Sequence, residues 1–272
     1  MATTERPQVE CVTLGDVDVA YRRAGTGRRL VLIHGLAQDL AMWEQIQSAW
    51  TQCETYAYDL RGHGGTSIGE AQGTIDQFGR DLVAFLEFVG PAVCVGFSLG
   101  GSVALWAAAE RPDLVKAVIA VATSSVVGRA AAESMDGRIA QLVGGDADML
   151  REMIESDTRS QLAHADADLA TIVEGRLAAI GDGSGYLNGA RAVRSMHDEP
   201  LNDRLDTIMQ PVLVLSGSVD PWCPRRAAEI MLEHLAHAEF VELPGVGHLV
   251  MDVAEPEFLS AARPWVERLG VA

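Results

Sequence analysis

Three residues whose chemistry can combine to break an acyl bond, Ser98, Asp220 and His248, each follow an apolar run of this chain. A serine hydroxyl is a poor nucleophile at neutral pH, so it needs a base within hydrogen-bonding distance and a third group that orients the base. The three residues also follow one another in the order nucleophile, acid, base. We therefore predict acyl transfer with Ser98 as the nucleophile, Asp220 as the orienting acid and His248 as the base.

The strongest motif is the pentapeptide Gly96-Phe97-Ser98-Leu99-Gly100. It follows the apolar run 91–95 and opens an alanine-rich stretch of helical period that ends at Pro112. This setting is typical of a nucleophile elbow, where a serine occupies a strained turn between a strand and a helix. The flanking glycines are needed because a Cβ there would strike the neighbouring backbone. The alternative is a tight turn that only packs a helix on a sheet.

Asp220 and His248 each occupy a loop after an apolar run, 211–215 for the acid and 240–243 for the base. The loop of the base is bracketed by glycines, and the chain has seven histidines, of which only His248 combines such a loop with the last run. The alternatives are an aspartate that forms a turn before Pro221 and a histidine with a capping or surface role.

The tetrahedral intermediate of acyl transfer needs backbone N–H donors for its oxyanion. We assign these donors to Leu36, in the loop after the apolar run 30–33, and to Leu99, which directly follows the nucleophile. His34 lies in the same loop as Leu36, and we expect it to be a structural residue of the turn rather than a second base.

The composition excludes several other classes. The formal net charge of −17 argues against a nucleic-acid partner, because a basic surface is needed to displace counterions. The four cysteines lack disulfide or zinc spacing, so we expect reduced thiols and no metal. Lys116 is the only lysine and adjoins an apolar run, which makes a Schiff-base mechanism improbable. No apolar stretch approaches the length of a membrane span, and residues 1–15 lack the apolar core of a secretory leader. We therefore expect a cytoplasmic protein.

Short apolar runs alternate with helical segments along most of the chain, which indicates an α/β fold with a mostly parallel sheet. Two runs near the start alternate in polarity and predict an antiparallel edge. The predicted strands are residues 9–13, 17–23, 30–33, 56–58, 92–95, 117–121, 212–215 and 240–243.

The rhythm of strands stops between residues 125 and 204, where the sequence becomes acidic and helix-forming. We predict a helical cap at 125–204 inserted into a core domain made of 1–124 and 205–272. Such a cap would lie over the carboxyl ends of the strands, where open α/β sheets bind ligands. The alternative is a structural insertion that does not contact the substrate.

Taken together, these motifs closely resemble the α/β-hydrolase superfamily over nearly the whole chain. The resemblance includes His34-Gly35, the segment 59–64 (Asp-Leu-Arg-Gly-His-Gly), the elbow, Asp220 and His248. It implies a mostly parallel eight-stranded sheet flanked by helices, with a helical cap, and it makes 59–64 a structural loop. Within the superfamily, residues 39–43, 185–186 and 191–193 look most like the 3-oxoadipate enol-lactonases, with cofactor-free haloperoxidase-like esterases nearby.

The resemblance implies hydrolysis of a small-molecule ester or lactone without a metal or organic cofactor. Serine at position 98 argues against the epoxide hydrolases and haloalkane dehalogenases of this fold, which need a carboxylate nucleophile. An enol-lactone that carries a carboxylate would need a cation in the site, and Arg191 and Arg194 in the cap are the candidates. If these arginines only pair with surface acids, a neutral ester or lactone fits equally well. Two alternatives stay open: perhydrolysis or oxygenation in the same pocket, and a non-catalytic ligand sensor.

Overall fold

The computed structural model describes residues 8–162 and 167–269. The ends of the predicted core domain, including the first seven residues of the segment searched for a leader, lie outside the described residues, as does 163–166 of the predicted cap. None of the described helices combines the length and the apolar character that crossing a bilayer requires.

Eight strands form one sheet in the order β1-β2-β4-β3-β5-β6-β7-β8. β1 pairs with β2 and β2 with β4 in antiparallel fashion, and all other neighbours are parallel. This confirms the predicted mostly parallel sheet with an antiparallel edge, and every predicted strand lies within an observed one. The strands are β1 Val9–Leu14, β2 Val17–Ala24, β3 Arg28–Ile33, β4 Cys53–Tyr58, β5 Ala92–Phe97, β6 Val115–Val121, β7 Val212–Gly217 and β8 Ala238–Leu243.

The burial of the strands explains their composition. Every residue of β4, β5 and β7 is buried, because helices cover both faces of the sheet and leave no side for polar residues. Successive residues of β5 therefore enter two separate cores, with Cys94 on one face and Val93 and Val95 on the other. β1 at the edge is mostly exposed.

Helices α2, α3 and α9 pack on one face of the sheet, and α1, α10 and α11 pack on the other. α4 to α7 all lie between β6 and β7 in the chain, where the sequence predicted helices. A short 3-10 helix, Leu40–Trp43, precedes α1. The helices are α1 Glu44–Ala49, α2 Ile75–Val89, α3 Leu99–Glu110, α4 Arg129–Gly144, α5 Ala147–Leu162, α6 Leu169–Ile180, α7 Ser184–Ser195, α8 Asn202–Leu205, α9 Arg225–His234, α10 Val250–Val253 and α11 Glu255–Arg268.

Candidate active site

The nucleophile candidate lies at the junction between β5 and α3. Ser98 has a positive φ of 50° with ψ −118°, a conformation that L-residues rarely adopt. The turn is tight enough to exclude side chains on both sides. A Cβ on Gly96 would come within 2.2 Å of the Gly100 carbonyl oxygen, and one on Gly100 within 2.3 Å of the Ile33 carbonyl oxygen. The glycines of the motif are therefore required by the backbone, and the strained turn presents the Ser98 side chain at the carboxyl edge of the sheet.

Ser98, His248 and Asp220 form one chain of hydrogen bonds. Ser98 Oγ lies 3.1 Å from His248 Nε2, and His248 Nδ1 lies 2.8 Å from Asp220 Oδ2. Because a carboxylate can only accept, the proton on the imidazole belongs on Nδ1, and Nε2 is left to accept from the serine hydroxyl. The three residues that the sequence separates by up to 150 positions are thus brought together in the geometry of a general base and its orienting acid.

The acid and the base are each fixed by backbone groups. The other oxygen of Asp220, Oδ1, accepts hydrogen bonds from the backbone N–H groups of Trp222 at 2.7 Å and Cys223 at 2.9 Å. The backbone N–H of His248 donates to the carbonyl of Gln161 in α5 at 2.8 Å. The loop of the base is therefore held from the side of α4 to α7 as well as by the sheet.

Leu36 and Leu99 both line the cavity beside Ser98. Leu99 is the first residue of α3, so no carbonyl one turn earlier in the helix accepts its N–H. The N–H of Leu36 has no hydrogen-bond partner within the described part of the chain. Ala37, the next residue, has a φ of 58°, which turns the loop sharply after Leu36. Two free backbone donors at this position fit an oxyanion hole.

His34 and His63 lie beneath this loop and are fully buried. His34 Nδ1 donates to the Gly35 carbonyl at 2.7 Å, and Nε2 accepts from the Leu60 N–H at 2.8 Å, so neither nitrogen is free to act on a substrate. Burial lowers the pKa of His34 to about 3 and that of His63 to about 4. Both rings are neutral parts of the framework at pH 7.

A cavity of about 640 Å³ opens above Ser98, within the size range of small-molecule sites. One wall consists of residues at the carboxyl ends of the strands, in the loops that follow them and in the first turns of α9, and we call it the sheet wall. The other consists of residues of α4 to α7, and we call it the helical wall. The sheet wall includes Leu36, Phe97, Ser98, Thr123, Trp222 and His248, and the helical wall includes Met135, Arg138, Asp157, Gln161, Arg176 and Tyr186.

The helical wall carries charged residues that the sequence analysis did not identify. Arg138 forms an ion pair with Asp157, which is 2% exposed, and Tyr186 Oη donates to the same carboxylate at 3.3 Å. The guanidinium of Arg138 also lies over the ring of Trp222, 5.1 Å from its centroid. Arg176 had a sequence signal: Val173, Arg176 and Ile180 share one face of a largely apolar helix, and an arginine on such a stripe is buried.

Of the two alternatives for Arg191 and Arg194, the structure favours a surface role over contact with the substrate. Arg191 is exposed, lies against Gly73 and does not line the cavity. Arg194 also lies outside the cavity, where it forms ion pairs with Asp136 and Asp198. Tyr186 and Val193, one heptad apart on α7, line the cavity, and Arg191 lies on the opposite side of that helix.

Within the described residues, one group of side chains has metal-ligand chemistry, namely Asp220, Cys223 and His248, whose ligand atoms lie within 4.8 Å of one another. Two of them, Asp220 and His248, are already bonded to each other in the hydrogen-bonded chain. Burial also raises the pKa of the Cys223 thiol, which disfavours the thiolate that a metal would need. We therefore interpret Asp220 and His248 as members of the chain that ends at Ser98 rather than as metal ligands. All four cysteines are free thiols.

Comparison with known proteins agrees with this geometry. A model of the alpha/beta hydrolase family matches residues 30–262. The chain belongs to the alpha/beta hydrolase family. This confirms the resemblance to the α/β-hydrolase superfamily and the predicted fold with its mostly parallel eight-stranded sheet.

Individual relatives place this hydrolase near esterases and lactonases. It is 29% identical to 3-oxoadipate enol-lactonase 2 of Acinetobacter baylyi over 93% of this chain and 94% of that protein. It is 25% identical to a pimeloyl-[acyl-carrier protein] methyl ester esterase of Shewanella woodyi over 90% of this chain and 96% of that protein. The crystal structure of the enol-lactonase from Burkholderia xenovorans, 21% identical, superposes with a TM-score of 0.86 over 95% of this chain and all of that one, which shows the shared fold.

Proposed function

We propose that this protein is a serine hydrolase that cleaves a carboxylic ester or lactone through an acyl-enzyme. The observation that carries the proposal is the chain from Ser98 Oγ through His248 to Asp220, which opens into a cavity large enough for a small molecule. The names of the two curated relatives, an enol-lactonase and a methyl ester esterase, support the same bond types.

The acylation step follows from the geometry. His248 Nε2 takes the proton of the Ser98 hydroxyl while Oγ attacks the substrate carbonyl carbon. The carbonyl oxygen becomes an oxyanion, which accepts from the N–H groups of Leu36 and Leu99. Collapse of the tetrahedral intermediate breaks the bond to the alkoxy oxygen, and His248 gives its proton to that oxygen. In a lactone the released hydroxyl stays attached to the acyl group.

The deacylation step repeats the same roles with water. His248 takes a proton from water, whose oxygen attacks the ester carbon of the acyl-enzyme. Collapse breaks the bond to Ser98 Oγ, which recovers the proton from His248, and the carboxylic acid is released. Asp220 stays ionised throughout and stabilises the imidazolium in both steps.

We further propose that residues 125–204 act as a cap domain over a core domain of residues 1–124 and 205–272. The charged residues of α4 to α6 that line the cavity, together with the hydrogen bond from His248 to Gln161, support a role of this segment in holding substrate and base. The alternative of an insertion without substrate contact would leave that wall of the cavity without a role.

The proposal is tested by the hydrolysis of 4-nitrophenyl acetate at neutral pH, without metal or peroxide, by the wild type and by Ser98→Ala. We expect kcat/KM to fall by about 10³-fold or more, because the residual rate would come only from the oxyanion donors and binding. Ser48→Ala is the control, since that hydroxyl on α1 donates to the Glu44 carbonyl and lies outside the cavity, so the rate should be unchanged.

Other outcomes would favour the other candidate functions. Equal rates in the wild type and Ser98→Ala would contradict the nucleophile assignment. Turnover only after the addition of peroxide or oxygen would indicate perhydrolysis or oxygenation. Tight ligand binding without any turnover would indicate a sensor.

A further inference from the structure

Arg176 is a buried cation in the helical wall of the cavity. Its residue is 5% exposed, and it extends from α6 toward the loop that carries Leu36. A guanidinium at this depth must be neutralised or very well solvated by neighbouring groups, because the free energy of removing a charge from water is large. The identity of its partners therefore matters.

All hydrogen-bond partners of Arg176 among the described residues are neutral oxygens. Nη1 donates to Thr158 Oγ1 at 2.8 Å and to Gln161 Oε1 at 2.6 Å, and Nε donates to the carbonyl of Ala37 at 3.4 Å. No carboxylate oxygen of a described residue lies within 4.0 Å of the guanidinium nitrogens, and Nη2 has no acceptor in that part of the chain. One donor edge of a buried cation is thus left open beside the cavity.

The acids around Arg176 do not neutralise it directly. Asp157 is already bonded to Arg138 and Tyr186, and it acts on Arg176 only at longer range, as does Asp252. Burial raises the pKa of Tyr186 to about 12, so the phenol carries no charge at pH 7. Burial also lowers the pKa of Arg176, as expected for a cation without an adjacent anion.

Arg176 lines the same cavity as Ser98 and Leu36. Arg176 Nε contacts the Ala37 carbonyl, and Ala37 directly follows Leu36, whose N–H we assign to the oxyanion hole. One substrate molecule would therefore place its carbonyl group at Ser98 and an anionic group on Arg176 Nη2. A carboxylate carries a single charge, as the Arg176 guanidinium does, whereas a phosphate monoester carries nearly two.

We propose that the substrate is an ester or lactone that also bears a free carboxylate, and that Arg176 binds this carboxylate in the helical wall. The inference rests on the proposed function and narrows it to one substrate class. It replaces the exposed Arg191 of the sequence analysis with a buried arginine from a different helix.

The test compares substrates that differ only in the charged group. Monoethyl esters of succinic, glutaric and adipic acid are each compared with the ethyl ester whose far end is a carboxamide, with acid release followed in a pH-stat. We expect the wild type to prefer the acid over the amide by about tenfold or more in kcat/KM for at least one chain length. In Arg176→Gln this preference should fall by about tenfold or more, toward a ratio of one, as for loss of a charge-assisted hydrogen bond. Arg176→Lys should retain part of it.

A second measurement uses binding rather than turnover. The dianions of the same three acids should inhibit the hydrolysis of 4-nitrophenyl acetate by the wild type, and the inhibition constant should rise about tenfold or more in Arg176→Gln. Arg151→Gln is the matched control. Arg151 also joins α5 to α6, through its ion pair with Glu174, but both side chains are exposed and outside the cavity, so preference and inhibition should be unchanged.

The ratio of acid to amide separates binding from a purely structural role, since misplacing the Ala37 loop would slow both substrates alike. A ratio near one in the wild type at every chain length, together with no inhibition by the dianions, would overturn the proposal. So would a ratio that Arg176→Gln leaves unchanged. Neither result would affect the proposed function, which fails only if no ester is hydrolysed in a manner that depends on Ser98.

Discussion

The sheet wall and the helical wall of the cavity hold their polar groups in different ways. In the sheet wall, backbone geometry fixes the groups: Ser98 lies in a turn of positive φ, and His248 is oriented from behind by Asp220, which backbone N–H groups hold. In the helical wall, side chains hold side chains, as in the pair of Arg138 with Asp157 and the contacts of Arg176. The first arrangement is rigid and needs few residue types, whereas the second can change with single substitutions.

This difference suggests a division of labour. Groups that must be placed within fractions of an ångström for bond breaking belong on backbone that cannot move, and groups that select a substrate can be carried by helices. Substitutions in the sheet wall should therefore reduce the rate without changing stability, and those in the helical wall should change stability or selectivity. Three predictions test this contrast, from the largest effect to the smallest.

Asp220→Asn should produce the largest effect, on rate alone. The amide oxygen can still accept from the N–H groups of Trp222 and Cys223, so the loop should keep its shape. The amide no longer stabilises the protonated His248 or selects its tautomer, and we expect kcat to fall about 10²- to 10⁴-fold. Steady-state hydrolysis of 4-nitrophenyl acetate measures the rate, and thermal unfolding measures stability. An unchanged rate, or a rate lost together with the fold, would contradict the assignment.

Asp157→Asn should produce the opposite pattern. Removing this buried charge leaves Arg138, whose side chain is 23% exposed, without its carboxylate, and we expect the free energy of unfolding to fall by about 2–3 kcal/mol. The matched control is Asp136→Asn, because Asp136 pairs with Arg194 at the surface and should cost less than about 1 kcal/mol. Urea unfolding compares the two variants. Equal losses of stability would show that the buried ion pair contributes no more to stability than the exposed one.

The pH dependence of stability tests the packing of His63, which lies in the loop after β4 where the core contacts α6. Its neighbour Gly64 donates a backbone hydrogen bond to Ala179 in α6 at 2.7 Å, and burial lowers the pKa of His63 from 6.5 to about 4. Above pH 6.5 the ring is neutral in both the folded and the unfolded chain. Between pH 6.5 and about 4 only the unfolded chain binds the proton, so the free energy of unfolding falls as the pH is lowered.

The expected contribution of His63 is a slope of up to about 1.4 kcal/mol per pH unit in that window. His63→Asn should remove it. The pKa of His34 is lowered mainly by its own burial and less by His63, so most of the contribution of His34 is common to both proteins and cancels in the difference. Urea unfolding of the wild type and the variant at pH 7, 6 and 5 measures the difference. A difference in stability that does not change with pH would contradict the buried neutral state of His63.

The two walls also differ in how far the sequence predicts them. The glycines around Ser98 and the loop glycines before His248 are visible in the sequence because backbone geometry permits few alternatives there. Arg191 and Arg176 are both arginines on helices of the predicted cap, and only the packing of α6 and α7 decides which of them is buried. The sequence therefore predicted the strands and the three residues of the hydrogen-bonded chain, but it did not predict the charged residues of the helical wall.

The central claim is that Ser98 is an activated nucleophile, and covalent labelling tests it most directly. An alkyl fluorophosphonate should phosphonylate the wild type once, and peptide mapping by mass spectrometry should locate the adduct on Ser98, because the reaction needs the base and the oxyanion donors together. Ser98→Ala should remain unlabelled under the same conditions. An adduct on another residue, or no adduct on a folded wild-type protein, would contradict the assignment.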